Sequence, residues 1–259
     1  MSAVLSARAL PSVQGPRPFV DLEVVIPAFN EAHRLATTVE RAVEFLSQAE
    51  WTAAVVVVDN GSVDRTVDIA RRFQTGRVPV HVIGCRAPGK GSAVLRGLAT
   101  GTSTFTGYMD ADLATPVETL GAVVPLLRDG AAAVIASRYA DRARLVTPQP
   151  ALRRVGGSLF RALTRSLLPD IADTQCGFKF FRRDLLEPVT PLLGISGFAF
   201  DVELLALVRR HGGSIVEIPV SWTDVPGSSF SAVRHGARTF TDIVRIQRSL
   251  DRMDVREAS

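Results

Sequence analysis

Gly107-Tyr-Met-Asp-Ala-Asp-Leu-Ala-Thr-Pro116 is the stretch around which the rest of the chain is organised. An apolar run reaches Tyr108 and Met109, then meets two acids one residue apart, Asp110 and Asp112. The run predicts a short buried strand. Thr115, Pro116 and Glu118 predict a helix start, with Thr at the N-cap, Pro at the first helical position and Glu at the third. The acids then fall at the carboxyl end of a strand, in the crevice where open α/β sheets bind ligands. Two carboxylates on such a turn suit a hard divalent cation, Mg²⁺ or Mn²⁺, held by few protein groups and shared with phosphates. Asp-x-Asp alone is a common acidic turn, so its neighbours must decide.

Towards the N-terminus the rhythm is regular. Leu22 to Ile26 predicts a first strand ended by Pro27, followed by the turn Pro27-Ala-Phe-Asn-Glu31. Leu35, Val39, Val43 and Leu46 recur at helical spacing. Ala53 to Val58 is an unbroken apolar run, the pattern of a strand buried on both faces. It ends in Asp59-Asn-Gly-Ser62, where Ser62 is expected to cap a helix with the stripe Val63, Val67, Ala70 and Phe73. Val78 to Ile83 predicts a third strand, and Pro88-Gly-Lys-Gly-Ser92 is a glycine-rich turn into another helix. Beyond the acids, Ala132 to Ala136 predicts a strand ending in Ser137-Arg138-Tyr139. This β-α-β-α-β alternation predicts a right-handed, mostly parallel sheet. The second half is less regular: a loop at 140–151, a helix from Leu152 to Leu168, a turn into a strand from Asp173 to Phe181, a helix from Asp201 to His211, and a strand from Ser214 to Trp222.

The 259 residues suffice for one large α/β domain, and 46% hydrophobic with 22% charged residues is an ordinary globular balance. A net charge of +4 favours anionic partners without choosing among phosphates, lipid head groups and nucleic acid. Two cysteines, Cys85 and Cys176, make no disulfide framework and fit a reducing cytoplasm. No apolar run approaches the roughly 20 residues that span a bilayer. Residues 1–19, with Arg8, Arg17 and three prolines, read as a disordered leader rather than a signal peptide. Only two lysines occur, Lys90 and Lys179, and both fall in motifs.

Asp59, Lys90, Asp110 and Asp112 each stand where a predicted strand meets a loop, so a parallel sheet brings them to one edge. No Gly-x-Gly-x-x-Gly follows the first strand, which argues against a dinucleotide fold. Six pieces occur in order: Val-Ile-Pro-Ala-Phe-Asn-Glu (25–31), Val-Val-Asp-Asn-Gly-Ser-x-Asp-x-Thr (57–66), Pro-Gly-Lys-Gly (88–91), Asp-Ala-Asp-Leu (110–113), Ser-Arg-Tyr (137–139) and Asp-Thr-Gln-Cys-Gly-Phe-Lys (173–179). In these the sequence resembles the GT-A-fold glycosyltransferases of family 2, in the branch that makes dolichyl- or polyprenyl-phosphate sugars. The resemblance runs from about Leu22 to Arg248.

The resemblance implies an α/β GT-A domain over 20–231, followed by an amphipathic helix and tail over 232–259. It implies that Pro27, Asn30, Glu31 and Asp59 hold a nucleotide sugar, with Lys90 near the base or diphosphate. Asp110 and Asp112 would carry Mg²⁺ or Mn²⁺. Arg138, Arg154 and Ser158 would meet an acceptor phosphate, with Lys179 near it and Asp173 in the site; a turn residue hydrogen-bonding the backbone around Gly177 is the alternative reading of Asp173. Asp112, Arg138, Arg154 and Asp173 form the expected catalytic set. The implied partners are UDP-glucose or GDP-mannose, a polyprenyl phosphate and an anionic membrane surface, with no nucleic acid. Two departures bear on the sugar and the site: Ala114 stands where mannosyl-type members often have Gln, and Gly227-Ser-Ser-Phe230 where the family often has Gly-Ser-Lys. The function implied is an inverting transfer of a hexose, glucose from UDP-glucose, to a polyprenyl or dolichyl phosphate; the alternatives are a GDP-mannose-dependent polyprenyl-phosphate mannosyltransferase, a transferase acting on a small phosphorylated acid such as phosphoglycerate, and a non-catalytic nucleotide-sensing protein. Finally, Arg234, Arg238, Arg245, Arg248 and Arg252 fall within an arc of roughly 80° on a helix over 232–252. With no spanning segment in the sequence, this stripe predicts peripheral docking on the inner face of a membrane.

Overall fold

The sheet begins at β1 (Leu22–Ala28) and continues through helix α1 (Leu35–Ser47), β2 (Ala53–Asp59), α2 (Thr66–Arg71), β3 (Val80–Gly84), α3 (Lys90–Ala99) and β4 (Phe105–Met109). A 3₁₀ turn leads to α4 (Leu120–Arg128), β5 (Ala133–Ser137) and the short β6 (Arg144–Leu145). Then come α5 (Ala151–Thr164), β7 (Phe178–Arg182), the helical turn α6 (Arg183–Leu186), α7 (Phe200–Arg210), β8 (Ile215–Pro219), β9 (Ser221–Trp222) and α8 (Ala232–Glu257). This computed structural model describes residues 19–74, 76–146, 151–223 and 232–257, without the side chains of 151–156, 159, 232–238 and 254–257. All but the last residue of the expected leader, the Gly227–Phe230 segment, and the side chains of Arg154, Arg234 and Arg238 lie outside the described residues.

Seven strands form one sheet in the order β3-β2-β1-β4-β7-β5-β8. The first four are mutually parallel, as are β5 and β8. Strand β7 runs antiparallel between β4 and β5, a reversal that the sequence pattern does not announce. Its consequence is local: the turn that enters β7 arrives at the carboxyl end of β4, because Phe178 pairs with Met109.

Alternate residues of each strand face opposite layers. Val55 and Val57 of β2 pack with α1 and α4 through Leu35, Val39, Leu120 and Val123. Val56 and Val58 face α3 and α7 through Val94, Leu98 and Phe200. Burial on both faces is why the valine run carries no polar alternation. Helix α3 lies so close that a Cβ at Gly97 would stand 2.4 Å from Val25 Cγ1.

Several local expectations are corrected. Pro27 does not end β1. It pairs with Val58, while the β4 ladder has already stopped at Val25–Tyr108, so the missing N–H is tolerated there. Thr115 is not an N-cap: it is buried, with its hydroxyl 3.5 Å from Cys176 Sγ. Pro116 remains extended, and the α-helix starts only at Leu120, after the 3₁₀ turn. Ser62 likewise caps nothing. Its hydroxyl accepts the Asn30 N–H, and Asp64 instead accepts the Thr66 N–H at the start of α2. Val63, expected in the apolar stripe, is 91% exposed. The last expected strand is two short strands, β8 and β9, which belong to different sheets. Helix α8 buries Ile243 and Ile246 and packs on α5 and α7, with Arg245, Arg248 and Arg252 on its exposed side. None of the described helices is long and apolar enough to cross a membrane.

Candidate active site

The carboxyl ends of β1, β2 and β4 gather the N-terminal motifs. Asn30 adopts a left-handed backbone (φ 56°), which Asn tolerates better than most residues. Its side-chain oxygen accepts the Val63 N–H at 2.9 Å, and the Glu31 N–H is accepted by Thr66 Oγ1 at 2.8 Å. The turn after β1 is thereby tied to the turn after β2. Asp59 is buried and accepts the N–H groups of Gly61 and Ser62, which shapes its own turn. Asn60 reaches across to the next loop: its amide donates to Ala87 O at 2.7 Å and accepts the Gly89 N–H at 2.8 Å. Gly89 has φ +111°, and a Cβ at Gly89 or Gly91 would stand 2.7 Å from Ser196 O. Those glycines therefore let the loop pass beneath the segment before α7 and aim Lys90 at the acids.

Lys90 Nζ lies 2.6 Å from Asp110 Oδ1. The Asp110 N–H donates to Gly177 O at 2.9 Å, so the turn before β7 seats this acid. Asp112 Oδ1 accepts the Ala114 N–H at 3.0 Å, and Ala111 O accepts the Thr38 hydroxyl at 2.6 Å, which pins the turn to α1. Burial, reinforced by the charge of Asp110, raises the Asp112 carboxyl above the usual range. Glu31 is raised too, first by burial, with Arg34 at 2.7 Å opposing and both aspartates adding. A carboxylate crowded by burial and another anion is one that a cation would relieve. Among the described residues no three acids, histidines or cysteines group as a closed metal cage. Two carboxylates with the remaining positions open are what a cation shared with phosphate oxygens requires.

Asp173 and Arg138 meet in the turn before β7. Arg138 donates through Nε to Oδ2 at 2.7 Å and through Nη2 to Oδ1 at 2.9 Å, and its N–H also reaches Oδ2. Asp173 further accepts the N–H groups of Gln175 and Cys176. Burial works to raise Asp173, but the Arg138 guanidinium and these donors hold it below the ordinary value, so it remains ionised. The guanidinium stands 5.6 Å from the Tyr139 ring centre and 5.3 Å from that of Trp222, and Arg161 lies 4.0 Å over the same Tyr139 ring. Ser158 is exposed on α5 and accepts from Arg161 at 2.9 Å. Lys179, expected near the acceptor, is fully buried. Its ammonium donates to Cys176 O and faces Asp201.

The structure thus brings Lys90, Asp110 and Asp112 together beside the Asp173–Arg138 clasp and turns Lys179 inward. Sequence reasoning missed Asn60, Gly177, Tyr108 and Asp201. Asn60 and Gly177 were in view as turn residues; what each touches is set across the fold.

Residues 23–190 match Glycosyl transferase family 2. The chain belongs to that family. It is 32% identical to the dolichyl-phosphate beta-glucosyltransferase of Homo sapiens, over 85% of this chain and 72% of that one. The enzyme of the same name from Dictyostelium discoideum is 29% identical over 87% of this chain and 73% of its own length. Among solved structures, glucosyl-3-phosphoglycerate synthase from Mycobacterium tuberculosis in complex with Mn²⁺, uridine diphosphate and glucosyl-3-phosphoglycerate superposes with a TM-score of 0.64, at 20% identity, covering 89% of this chain and 79% of that one. The fold of this family 2 member is accordingly GT-A, and the protein is a glycosyltransferase enzyme.

Proposed function

We propose that this glycosyltransferase moves glucose from UDP-glucose to a polyprenyl or dolichyl phosphate, with inversion at the anomeric carbon and with Mg²⁺ or Mn²⁺. The observation that carries the reading is the gathering of Asp110, Asp112 and Lys90 at one sheet edge, next to an Arg138 clasped by an ionised Asp173. Similarity to enzymes named dolichyl-phosphate beta-glucosyltransferase supports the sugar and the acceptor.

In this reaction an acceptor phosphate oxygen forms a bond to the anomeric carbon as the bond to the nucleoside diphosphate breaks. Asp110 and Asp112 would hold the cation, whose chemistry when bound is to neutralise the leaving diphosphate. Lys90, beside Asp110, donates to the same phosphates. Asp59, Asn30 and Glu31 line the nucleotide side, with Pro27 on the strand before them. Arg138 offers fixed positive charge to the acceptor side, where Arg154 and Ser158 share one face of α5 by their i,i+4 spacing. No general base is needed, because a phosphate monoester with a second pKa near 6 is already largely ionised at pH 7. Asp173 orients Arg138 and takes no proton.

Calorimetry with Mn²⁺ and each nucleoside diphosphate tests the donor: UDP should bind at least about tenfold tighter than GDP, roughly 1.4 kcal/mol. Tight GDP binding without UDP binding would reverse the donor to GDP-mannose. Transfer of labelled glucose to polyprenyl phosphate tests the acceptor.

Peripheral docking through α8 belongs to the same reading. Ile243 and Ile246 of its apolar face are buried while Phe240 stays exposed, so attraction rests chiefly on the basic stripe, worth about 1 kcal/mol per residue near an anionic surface. The protein should float with anionic vesicles at low salt, and changing Arg245, Arg248 and Arg252 to Glu should release it. Protein that stays in solution at low salt would shift the acceptor toward a small phosphorylated acid.

A further inference from the structure

Lys179 and Asp201 pair inside the core. Lys179 has no exposed surface, and Asp201 is 3% exposed. They face one another at 2.9 Å, and the Tyr108 hydroxyl donates to the same Asp201 oxygen. Tyr108 and Lys179 are directly opposed across β4 and β7, while Asp201 enters from the first turn of α7. Burial lowers the Lys179 ammonium and raises the Asp201 carboxyl, so the pair is costly where it stands. Replacing such a pair by well-packed apolar residues of similar volume is often neutral or stabilising.

What the pair accomplishes is visible in its remaining bond. Lys179 Nζ donates to Cys176 O at 2.5 Å, within the turn 173–177. One end of that turn is Asp173, which clasps Arg138. The other end is Gly177, whose carbonyl accepts the Asp110 N–H and at which an added Cβ would run into the Asp110 carboxylate. A single buried lysine side chain therefore ties β4, the start of α7 and the turn shared by the two halves of the site.

We propose that Lys179 and Asp201 are positioning residues that fix the 173–177 turn, and through it hold Asp110 and Arg138 in register with one another. The proposal rests on Asp110 being a ligand of the donor's cation, as read above. A pair present only for packing would leave that turn indifferent to its removal.

The test compares wild type, Lys179→Met, Asp201→Asn and the double variant by thermal unfolding, by amide hydrogen exchange across 109–112 and 173–177, and by calorimetry with Mn²⁺ and UDP. Each single variant strands one buried partner and should melt lower, and the double, which replaces two buried ionisable groups by a thioether and a neutral amide that still faces the Tyr108 hydroxyl, should recover much of that loss. In the recovered double, exchange in both segments should still quicken, and affinity for UDP with Mn²⁺ should fall by about tenfold or more, the order lost when an orienting partner of a ligand is removed. A double variant that melts, exchanges and binds like wild type overturns the proposal. Should the double not fold, Tyr108→Phe decides: it removes one donor to Asp201 and keeps every carbon. Quickened exchange with weaker binding supports the proposal, and no change in either overturns it. Wild type that does not bind UDP with Mn²⁺ would defeat the donor reading alone, since the exchange comparison still judges the positioning role.

Discussion

Asp112→Asn is expected to lower kcat/KM by about a hundred- to a thousand-fold, the order lost when a preorganised electrostatic contact to developing charge is removed. The fold should be untouched or slightly firmer. Asp112 accepts one backbone N–H, from Ala114, and an Asn oxygen accepts it as well. Its carboxyl is raised by burial and by Asp110, which means the native state disfavours its charge. The sign follows: removing that charge relieves repulsion, so the melting temperature holds or rises while activity collapses. Adding excess EDTA to wild type should reproduce the loss. Full activity of the variant in EDTA would defeat the metal reading.

Gly177→Ala is expected to be nearly as severe at a position that carries no chemistry of its own. A Cβ there would stand 1.9 Å from Asp110 Oδ2 and 2.3 Å from its Cγ. The carboxylate has little room to yield, because the Asp110 backbone N–H is bonded to Gly177 O and Lys90 holds the carboxylate at 2.6 Å. Overpacking of this kind costs about 1–3 kcal/mol of stability, and displacing a reacting group by about 1 Å can cost about 10² in rate. The control is Gly121→Ala on α4, where the nearest atom is Phe45 Cζ at 3.7 Å. There Ala should add about 0.5–1 kcal/mol and leave activity alone. Steady-state kinetics and calorimetry with Mn²⁺ and UDP on both variants decide the matter. Wild-type affinity in Gly177→Ala would mean that Asp110 is not a donor ligand.

Much of the molecule was legible in its sequence because the signals are local. A run such as Ala53–Val58, apolar on both faces, has few stable homes other than a strand covered by helices on two sides. Asp59, Lys90, Asp110 and Asp112 were placed at one sheet edge because each follows a strand of the same direction. The resemblance in six ordered motifs is borne out by the match to family 2 over residues 23–190. Helix starts were misjudged at Ser62 and Thr115 for one reason. Their hydroxyls had tertiary partners, Asn30 N–H and the Cys176 sulfur, which a capping pattern cannot register.

What the sequence by itself determined is the sequence of strands and helices in the first half, the two-sided core and the identity of the acids at the sheet edge. These depend on periodicity, turn chemistry and chain direction, which are written residue by residue. Only the tertiary structure decided that β7 runs against its neighbours, and that reversal carries the turn 173–177 to the end of β4. It alone decided that Gly177 seats Asp110, that Asp173 clasps Arg138, and that Lys179 points into the core toward Asp201. Each of those contacts joins residues far apart in the chain. A strand buried on both faces looks the same in sequence whichever way it runs, so the direction of β7, and with it the second half of the site, was settled by packing.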